Sequence, residues 1–233
     1  MVLKPKMPRK RSDSRSETPK LGRRFEQALL FATRKHAGQT RKASTVPYIG
    51  HLLGVTSLVL EAGGDEDLAI AALLHDVVED CGGMPMLKEV RKRFGKRVAH
   101  IVDGCTDAYD EPKPPRYDRK TKYLERLRTE DDEVRLVSCA DKSHNVGTIL
   151  RDYREVGESI WERFRGKRDG TLWYYRALTD EFARGKPNRL VRELERVVRK
   201  LEREASAGNE IKGLNRKERE GRKGTADPSL RSG

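Results

Sequence analysis

The stretch Ala71–Gly83, AALLHDVVEDCGG, has ionisable side chains directly after an apolar run. Residues four apart lie on the same face of a helix, so His75 should sit over Glu79. By the same spacing, Asp76 should sit over Asp80. One interpretation is a charged helix end exposed to solvent. The other is that an imidazole and several carboxylates converge near the helix edge, where they could hold a divalent metal ion.

A second group of polar residues lies in an apolar helical stretch. In SCADKSHNVGTIL, Asp141, His144 and Asn145 fall on one face at spacings of three and four residues. The helix that begins near Val134 is apolar on more than one side, which predicts burial. A buried carboxylate is costly unless it is paired or bound to a cation. Two carboxylate-bearing helices can offset that cost by sharing one metal ion.

A third candidate ligand is His51, which begins a helix that is apolar as far as Leu60. The combined set of candidate ligands contains two imidazoles and two carboxylates: His51, His75, Asp76 and Asp141. Such a mixed set suits Mn²⁺, Fe²⁺ or Zn²⁺ better than Ca²⁺. An ion held in this way lowers the pKa of bound water and polarises a phosphoryl oxygen. Glu79 and Asp80, one turn beyond the ligands, would then be placed to take the proton of the water.

The elements that must position these residues are predicted to be helices. Apolar residues recur every three or four positions, and no stretch alternates with period two for long enough to predict a sheet. The fold should therefore be all-α. The segment AGQTRKASTVPYIG is predicted to be a loop, as is the Pro-rich DEPKPPRYD. Predicted helices cover about 21–36, 48–62, 66–80, 85–94, 96–106, 117–129, 131–150, 152–165, 171–183 and 188–204.

Length and composition predict one helical domain with charged ends. The chain has 233 residues, of which 35% are hydrophobic and 37% charged, and its formal net charge is +13. We expect a disordered basic tail over 1–20, a single domain over 21–204 and a disordered charged tail over 205–233. The basic residues of the first tail are typical of a solubilising segment or of a nucleic-acid tether. No aromatic side chain interleaves them as a platform for bases.

Cysteine usage and hydropathy bear on the compartment. Cys81, Cys105 and Cys139 are far apart and include no Cys-x-x-Cys pair, which is typical of reduced thiols. No stretch approaches the roughly 18 apolar residues that a membrane span needs. The basic N-terminus lacks the apolar core of a signal peptide. We therefore expect a cytoplasmic protein with no membrane contact.

Three blocks in order, HLLGV, LLHDVVED and CADKSHN, resemble the metal motifs of the HD-domain phosphohydrolases. The residues that match the family pattern H…HD…D are His51, His75, Asp76 and Asp141, and the resemblance implies that they bind the metal. HAGQTRKASTVPYIGH, FGKRVAHIVDGCTD and ADKSHNVGTIL further resemble the hydrolase domains of RelA/SpoT-type enzymes and the small alarmone hydrolases. The likeness covers about 25–182 and implies a single HD-type helical bundle.

This resemblance implies a reaction of the stringent response. It is the hydrolysis of the 3′-pyrophosphate of (p)ppGpp to GDP or GTP and pyrophosphate, usually with Mn²⁺. In the family pattern Glu79 and Asp80 act beside the metal in activating water. The residues implied to contact the nucleotide are Arg41, which would stack on the guanine, Lys42, Ser44, Asn145 and Thr148. The residues after the last hydrolase-like helix are too few for a synthetase domain, so we expect degradation of the alarmone without synthesis.

The chain departs from the family pattern at positions beside the nucleotide. Leu52, Ser143 and Gly147 stand where the family usually has Pro, Leu and Arg. These changes leave the metal residues intact and bear on base and phosphate preference. The alternative function is therefore an HD-domain phosphohydrolase for another nucleotide, such as ppApp, NADPH or a nucleoside phosphate. A nucleic-acid-associated protein with a vestigial site is a further alternative, based on the basic charge of residues 1–24 alone.

Overall fold

The computed structural model describes residues 20–107, 109, 114–186 and 188–224, with side chains as far as residue 208. Across these residues the chain forms ten α-helices and one 3₁₀ helix, which confirms the predicted all-α fold. The helices are α1 (Arg23–Lys35), α2 (Ile49–Glu61), α3 (Glu66–Leu74), α4 (Val77–Cys81), α5 (Gly83–Phe94), α6 (Lys96–Cys105), α7 (Arg116–Leu127), α8 (Asp132–Val156), α9 (Lys167–Ala183) and α10 (Arg189–Gly224), with the 3₁₀ helix (Gly157–Arg163) between α8 and α9. Residues 1–19 of the predicted basic tail and residues 110–113 of the Pro-rich loop lie outside the described residues.

Two helices form the centre of the bundle. Every residue of α3 from Leu68 to Leu74 is buried, because this helix is apolar all round. The long helix α8 packs against α2, α3, α6, α9 and α10. The candidate ligands His75 and Asp141 therefore lie on, or directly after, the most enclosed elements of the fold. No helix among the described residues is both long enough and apolar enough to span a membrane.

The helix predicted over 66–80 is not continuous, and that prediction was wrong. Helix α3 ends at Leu74 and α4 begins at Val77. Nδ1 of His75 donates a hydrogen bond to the carbonyl oxygen of Ala72 at 2.8 Å. In an uninterrupted helix that oxygen accepts from the amide of Asp76. The imidazole therefore competes with the backbone for this acceptor, and the break falls between the two candidate ligands.

The predicted helix over 152–165 also differs from the structure. Helix α8 continues to Val156, and a 3₁₀ helix follows over Gly157–Arg163. Gly157 has a φ of +61°, a left-handed conformation that ends an α-helix at low steric cost when the residue is glycine. The amphipathic spacing over 152–165 therefore belongs to two elements, the end of α8 and the 3₁₀ helix.

The last helix extends beyond the predicted end of the domain. Residues 205–224 of the predicted disordered tail are helical in α10, whereas 225–233 lie outside the described residues. Ala205 is buried, and its carbonyl oxygen accepts a hydrogen bond from Nη2 of Arg168 at 3.3 Å. Once packing has nucleated a helix, adding each further residue costs little free energy. Helix α10 therefore continues into the polar segment.

The start of α3 is fixed by Asp65. Its Oδ1 accepts from the amide of Leu68 at 3.0 Å, and its Oδ2 lies 2.6 Å from Nη1 of Arg97. Partial burial acts to raise the pKa of Asp65, but the hydrogen bonds from Leu68 and Arg97 outweigh it and lower the pKa. The ionised carboxylate is therefore the form that caps the helix.

We expect Asp65→Ala to lower the free energy of unfolding by about 1 kcal/mol at neutral pH, because an N-cap acceptor is lost. A lowered native pKa means that this stabilisation is present above the unfolded-state pKa and is lost as pH falls through the native pKa. Urea unfolding should therefore show that the difference in the free energy of unfolding between variant and wild type becomes smaller as the pH is lowered. Asp180→Ala, at an exposed position of α9, is the control and should stay within about 0.5 kcal/mol of wild type. If that difference in the free energy of unfolding did not change with pH, the ionised carboxylate of Asp65 would not be the form that caps α3.

Candidate active site

The four predicted metal ligands meet at one point, although they come from distant parts of the chain. One ligand atom from each of His51, His75 and Asp141 lies within 4.8 Å of the others. Nε2 of His51 is 3.2 Å from Oδ1 of Asp141. Oδ2 of Asp76 is 3.0 Å from Nε2 of His75 and 3.5 Å from Nε2 of His51. The start of α2, the α3–α4 junction and the middle of α8 therefore contribute to a single centre.

Both imidazoles present a ring nitrogen to this centre. Since Nδ1 of His75 donates to the Ala72 carbonyl, Nε2 is the ring nitrogen that faces the centre, where it would give up its proton to bind a metal. Nδ1 of His51 is 2.9 Å from Nδ1 of His144, which can fix the His51 ring in the same way. Although carboxylate oxygens lie 3.0–3.6 Å away, neither buried Nε2 makes a well-directed hydrogen bond to a described residue. Two such nitrogens facing two carboxylates fit a divalent first-row cation.

The electrostatics of the centre favour positive charge. Burial acts to lower the pKa of His75, but Asp76 and Asp141 outweigh it and raise the pKa well above its usual value. Burial acts to raise the pKa of Asp76, yet the neighbouring His75 holds that pKa well below its usual range. Burial likewise acts to raise the pKa of Asp141, but Lys142 and the two imidazoles outweigh it and hold that pKa well below its usual range. Both carboxylates are thus ionised, Asp141 in a buried position and Asp76 in a half-buried one, and a divalent cation would stabilise them.

Each carboxylate is also held by a neighbouring polar group. The hydroxyl of Tyr48 donates to Oδ2 of Asp76 at 2.6 Å. Nζ of Lys142 lies 2.5 Å from Oδ2 of Asp141, and Nδ2 of Asn145 donates to Oδ1 of the same residue. No role was predicted from the sequence for Tyr48 or Lys142. Their only signal in the sequence is that they adjoin the ligand motifs.

A cavity of about 620 Å³ lies beside this centre. His51, Asp76 and Asp141 form part of its wall, so the candidate ligands border a space that can admit a small molecule. The wall also includes every residue predicted to contact the nucleotide: Arg41, Lys42, Ser44, Asn145 and Thr148. Nη2 of Arg41 is 2.5 Å from Oδ1 of Asn145, which joins two of these residues across the cavity.

The predicted loop between α1 and α2 folds back on itself as a narrow hairpin. The amide of Arg41 donates to Val46 O at 2.8 Å, and that of Tyr48 donates to Gln39 O at 2.9 Å. Ala43, at the tip, has a φ of +52°, which is uncommon for a residue other than glycine. The hairpin thereby brings the basic side chains of its tip to the cavity wall.

The sequence predicted no role for several other residues of the cavity wall: Lys142, Arg151, Asp152, Arg163, Phe164 and Tyr175. Of these, Arg163 is paired with Asp152 at 2.8 Å. Nζ of Lys42 lies 5.6 Å from the ring centre of Phe164. Burial, followed by the charges of Arg165 and Arg116, lowers the pKa of Lys42. This concentration of like charge suits a ligand that carries several negative charges.

Glu79 and Asp80 lie on α4 and are held by different parts of the structure. Oε2 of Glu79 accepts from the amide of Asp107 at 3.3 Å, and Nη1 of Arg119 is 3.8 Å from Oε1. Oδ2 of Asp80 accepts from Nε2 of Gln39 at 3.0 Å. Burial, and then the charge of Asp76, raises the pKa of Asp80. Neither carboxylate is among the described residues that line the cavity.

His144 is a further functional candidate. Its spacing placed it on the same helix face as Asp141 and Asn145, but no role was predicted for it. It lines the cavity and contacts His51, and burial with the charge of His51 lowers the pKa of His144 to about 4. Its ring packs directly over Gly54 of α2, where an added Cβ would overlap Cδ2 and Nε2 of the imidazole. Glycine is therefore required for this close approach.

We expect Gly54→Ala to destabilise the protein by about 1–3 kcal/mol, because the new methyl group must displace the His144 ring. Gly147→Ala is a matched control on α8, since a Cβ there meets only Nη1 of Arg151 at 3.7 Å. Removing a mid-helix glycine at such a position should instead raise stability by about 0.5–1 kcal/mol. Thermal unfolding of both variants is the measurement, and equal effects would contradict the proposed overlap.

Comparison with known protein families agrees with this geometry. A family model described as HD domain matches residues 28–172, which is more than half of the chain. The chain belongs to the HD domain family. This confirms the resemblance seen in the HLLGV, LLHDVVED and CADKSHN blocks.

Proteins similar to this HD domain have related names. It is 36% identical over 142 residues to guanosine-3′,5′-bis(diphosphate) 3′-pyrophosphohydrolase MESH1 of Xenopus tropicalis, covering 60% of this chain and 74% of the relative. It is also 36% identical over 140 residues to guanosine-3′,5′-bis(diphosphate) 3′-pyrophosphohydrolase of Aquifex aeolicus, covering 58% of this chain and 19% of that longer protein. A solved structure described as a metazoan ortholog of SpoT that hydrolyzes ppGpp aligns with a TM-score of 0.64 and 29% identity, covering 78% of this chain and 97% of the other.

Proposed function

We propose that this HD domain hydrolyses the 3′-pyrophosphate of (p)ppGpp, giving GDP or GTP and pyrophosphate. The observation that carries the proposal is that the His51, His75, Asp76 and Asp141 centre borders a cavity lined by more cationic than acidic side chains. A substrate with two groups of phosphates needs both features, one to bind its charge and one to act on the scissile bond. The names of the relatives support the same reaction.

His51, His75, Asp76 and Asp141 would hold a divalent ion, for which we propose Mn²⁺. When bound, such an ion polarises a phosphoryl oxygen and lowers the pKa of water. Glu79 and Asp80, one turn along the chain from the ligands, would accept the proton of the attacking water. The water oxygen forms a bond to phosphorus while the bond from that phosphorus to the 3′-oxygen of the ribose breaks. The 3′-oxygen takes up one proton, which balances the proton lost by the water, so the products are a 3′-hydroxyl and free pyrophosphate.

The residues of the hairpin and α8 would bind and orient the nucleotide. The planar guanidinium of Arg41 can stack on guanine, while Lys42 and Ser44 can contact phosphate oxygens. Asn145 and Thr148 would contact the nucleotide from α8. Nη2 of Arg151 lies 3.0 Å from Oγ1 of Thr148, so a cation is present one turn beyond Gly147, where the family pattern has Arg. Arg151 would therefore bind phosphate in place of the arginine that the family pattern has at position 147.

Direct product analysis tests this function against its alternative. Purified protein with Mn²⁺ would be incubated separately with ppGpp, ppApp, NADPH and deoxynucleoside triphosphates, and the products separated by chromatography. We expect pyrophosphate and GDP from ppGpp. Cleavage of another nucleotide with ppGpp left intact would overturn the choice of substrate. We further propose that the reaction occurs in the cytoplasm, where thiols such as Cys81, Cys105 and Cys139 stay reduced.

A further inference from the structure

Asp80 is held by Gln39, which is neither a candidate metal ligand nor a predicted nucleotide contact. Nε2 of Gln39 donates to Oδ2 of Asp80 at 3.0 Å. At the other end of the amide, Oε1 of Gln39 is 2.7 Å from Nδ1 of His36. An amide oxygen can only accept, so Nδ1 of His36 carries the proton and fixes which way the amide points. The Gln39 nitrogen is thereby directed at the carboxylate.

The partner of Gln39 is itself firmly placed. His36 is buried, and its ring stacks on that of Tyr48 with centroids 5.1 Å apart and planes at 20°. Tyr48 in turn donates its hydroxyl to Oδ2 of Asp76. One stacked aromatic pair therefore supports two carboxylates, Asp76 directly through Tyr48 and Asp80 through Gln39.

The backbone of Gln39 is bound on both sides as well. Its amide donates to His36 O at 3.0 Å, and its carbonyl oxygen accepts from the amide of Tyr48 at 2.9 Å. Gln39 thus forms the base of the hairpin whose tip bears Arg41 and Lys42. Movement of this hairpin would be transmitted to the side chain that holds Asp80.

We propose that Gln39 is a positioning residue, which fixes the carboxylate of Asp80 and couples it to the nucleotide-binding hairpin. The inference rests on the proposed function in one respect, namely that Asp80 helps to accept the proton of water. The terminal torsion of an aspartate has broad minima, so a single directed hydrogen bond strongly restricts where its oxygens lie. A displacement of about 1 Å in a reacting group can cost on the order of 100-fold in rate.

The kinetic test replaces the amide by an apolar side chain of similar size. Gln39→Leu should lower kcat by about 10–100-fold and change KM by less than about threefold, because a residue supporting a functional group is lost while the cavity wall remains. Gln27→Leu, at an exposed position of α1, is the matched control and should leave kcat unchanged. Circular dichroism and metal content of Gln39→Leu should equal those of wild type. A normal kcat, or a loss confined to KM, would overturn the proposal.

A double-mutant cycle distinguishes positioning from general structural damage. In an Asp80→Ala background, Gln39→Leu should cause no further loss of kcat, because the group it positions is gone. An equal fold-loss in both backgrounds would instead mean that Gln39 acts elsewhere, and would overturn the proposal.

The same cycle can be read without substrate. In metal-free protein, Gln39→Leu and Asp80→Ala should each shift the thermal unfolding midpoint, and the double variant should shift it by less than the sum. If the two shifts in the thermal unfolding midpoint were additive, Gln39 and Asp80 would not interact, and the proposal would be overturned. If wild-type protein failed to release pyrophosphate from ppGpp, this measurement would still test Gln39, so failure of the function and failure of the inference remain distinguishable.

Discussion

Asp141→Asn should lose bound metal and turnover together, with kcat reduced by more than about 100-fold. Loss of residues that merely support a metal ligand costs about 10–100-fold, so loss of a charged ligand should cost more. Asn keeps the shape of the side chain and can still contact Asn145, which limits damage to α8. Both variants leave the buried ammonium of Lys142 without its carboxylate, but Asp141→Ala should destabilise the fold further, because alanine offers Nζ of Lys142 no acceptor oxygen at all.

Metal content after dialysis and steady-state kinetics are the measurements for these variants. Asp132→Asn is the matched control, since this residue lies on the same helix in an exposed ion pair with Lys186. Exposed pairs contribute about 0–1 kcal/mol, so the control should keep both metal and rate. Full metal content with a normal rate in Asp141→Asn would contradict the assignment of Asp141 as a ligand.

Glu79→Gln should retain metal and lose turnover, with kcat reduced by about 100- to 10,000-fold. The amide oxygen of Gln can still accept from the amide of Asp107, so the side chain should stay in place while its basicity is lost. The separation of metal content from rate distinguishes this variant from those at Asp141.

The control for Glu79→Gln is Glu26→Gln, at an exposed position of α1, which should be neutral in both measurements. A Glu79→Gln variant with near-normal kcat would remove Glu79 from the proton-transfer step and leave Asp80 as the remaining candidate. Loss of metal in this variant would instead assign Glu79 to the metal centre.

Much of the site could be predicted because its parts are marked by local spacing. His75 and Asp76 follow an apolar helix, and Asp141 interrupts another, so burial of charge was visible in the sequence. The break at the α3–α4 junction was not visible, because it depends on a hydrogen bond between the His75 ring and the Ala72 carbonyl. Apolar periodicity indicates which face of a helix is buried, but it does not indicate where a side chain competes for a backbone acceptor.

The supporting residues could not be predicted for a different reason. Tyr48 reaches Asp76 across 28 residues of sequence, and Arg41 reaches Asn145 across 104. These contacts follow from the packing of α2 on α3 and α8, which the local spacing of residues does not reveal. The requirement for glycine at position 54 likewise arises only when the His144 ring is brought against α2.

The candidate ligands are brought together from the start of α2, the α3–α4 junction and the middle of α8. An ion bound by all of them would act as a cross-link that closes two long loops of the chain, much as a disulfide does. Unlike a disulfide, the ion would leave when the chain unfolds, so it would favour the folded state by mass action, through binding that state alone. The supply of metal would then set how stable this protein is against unfolding, as well as how fast it works.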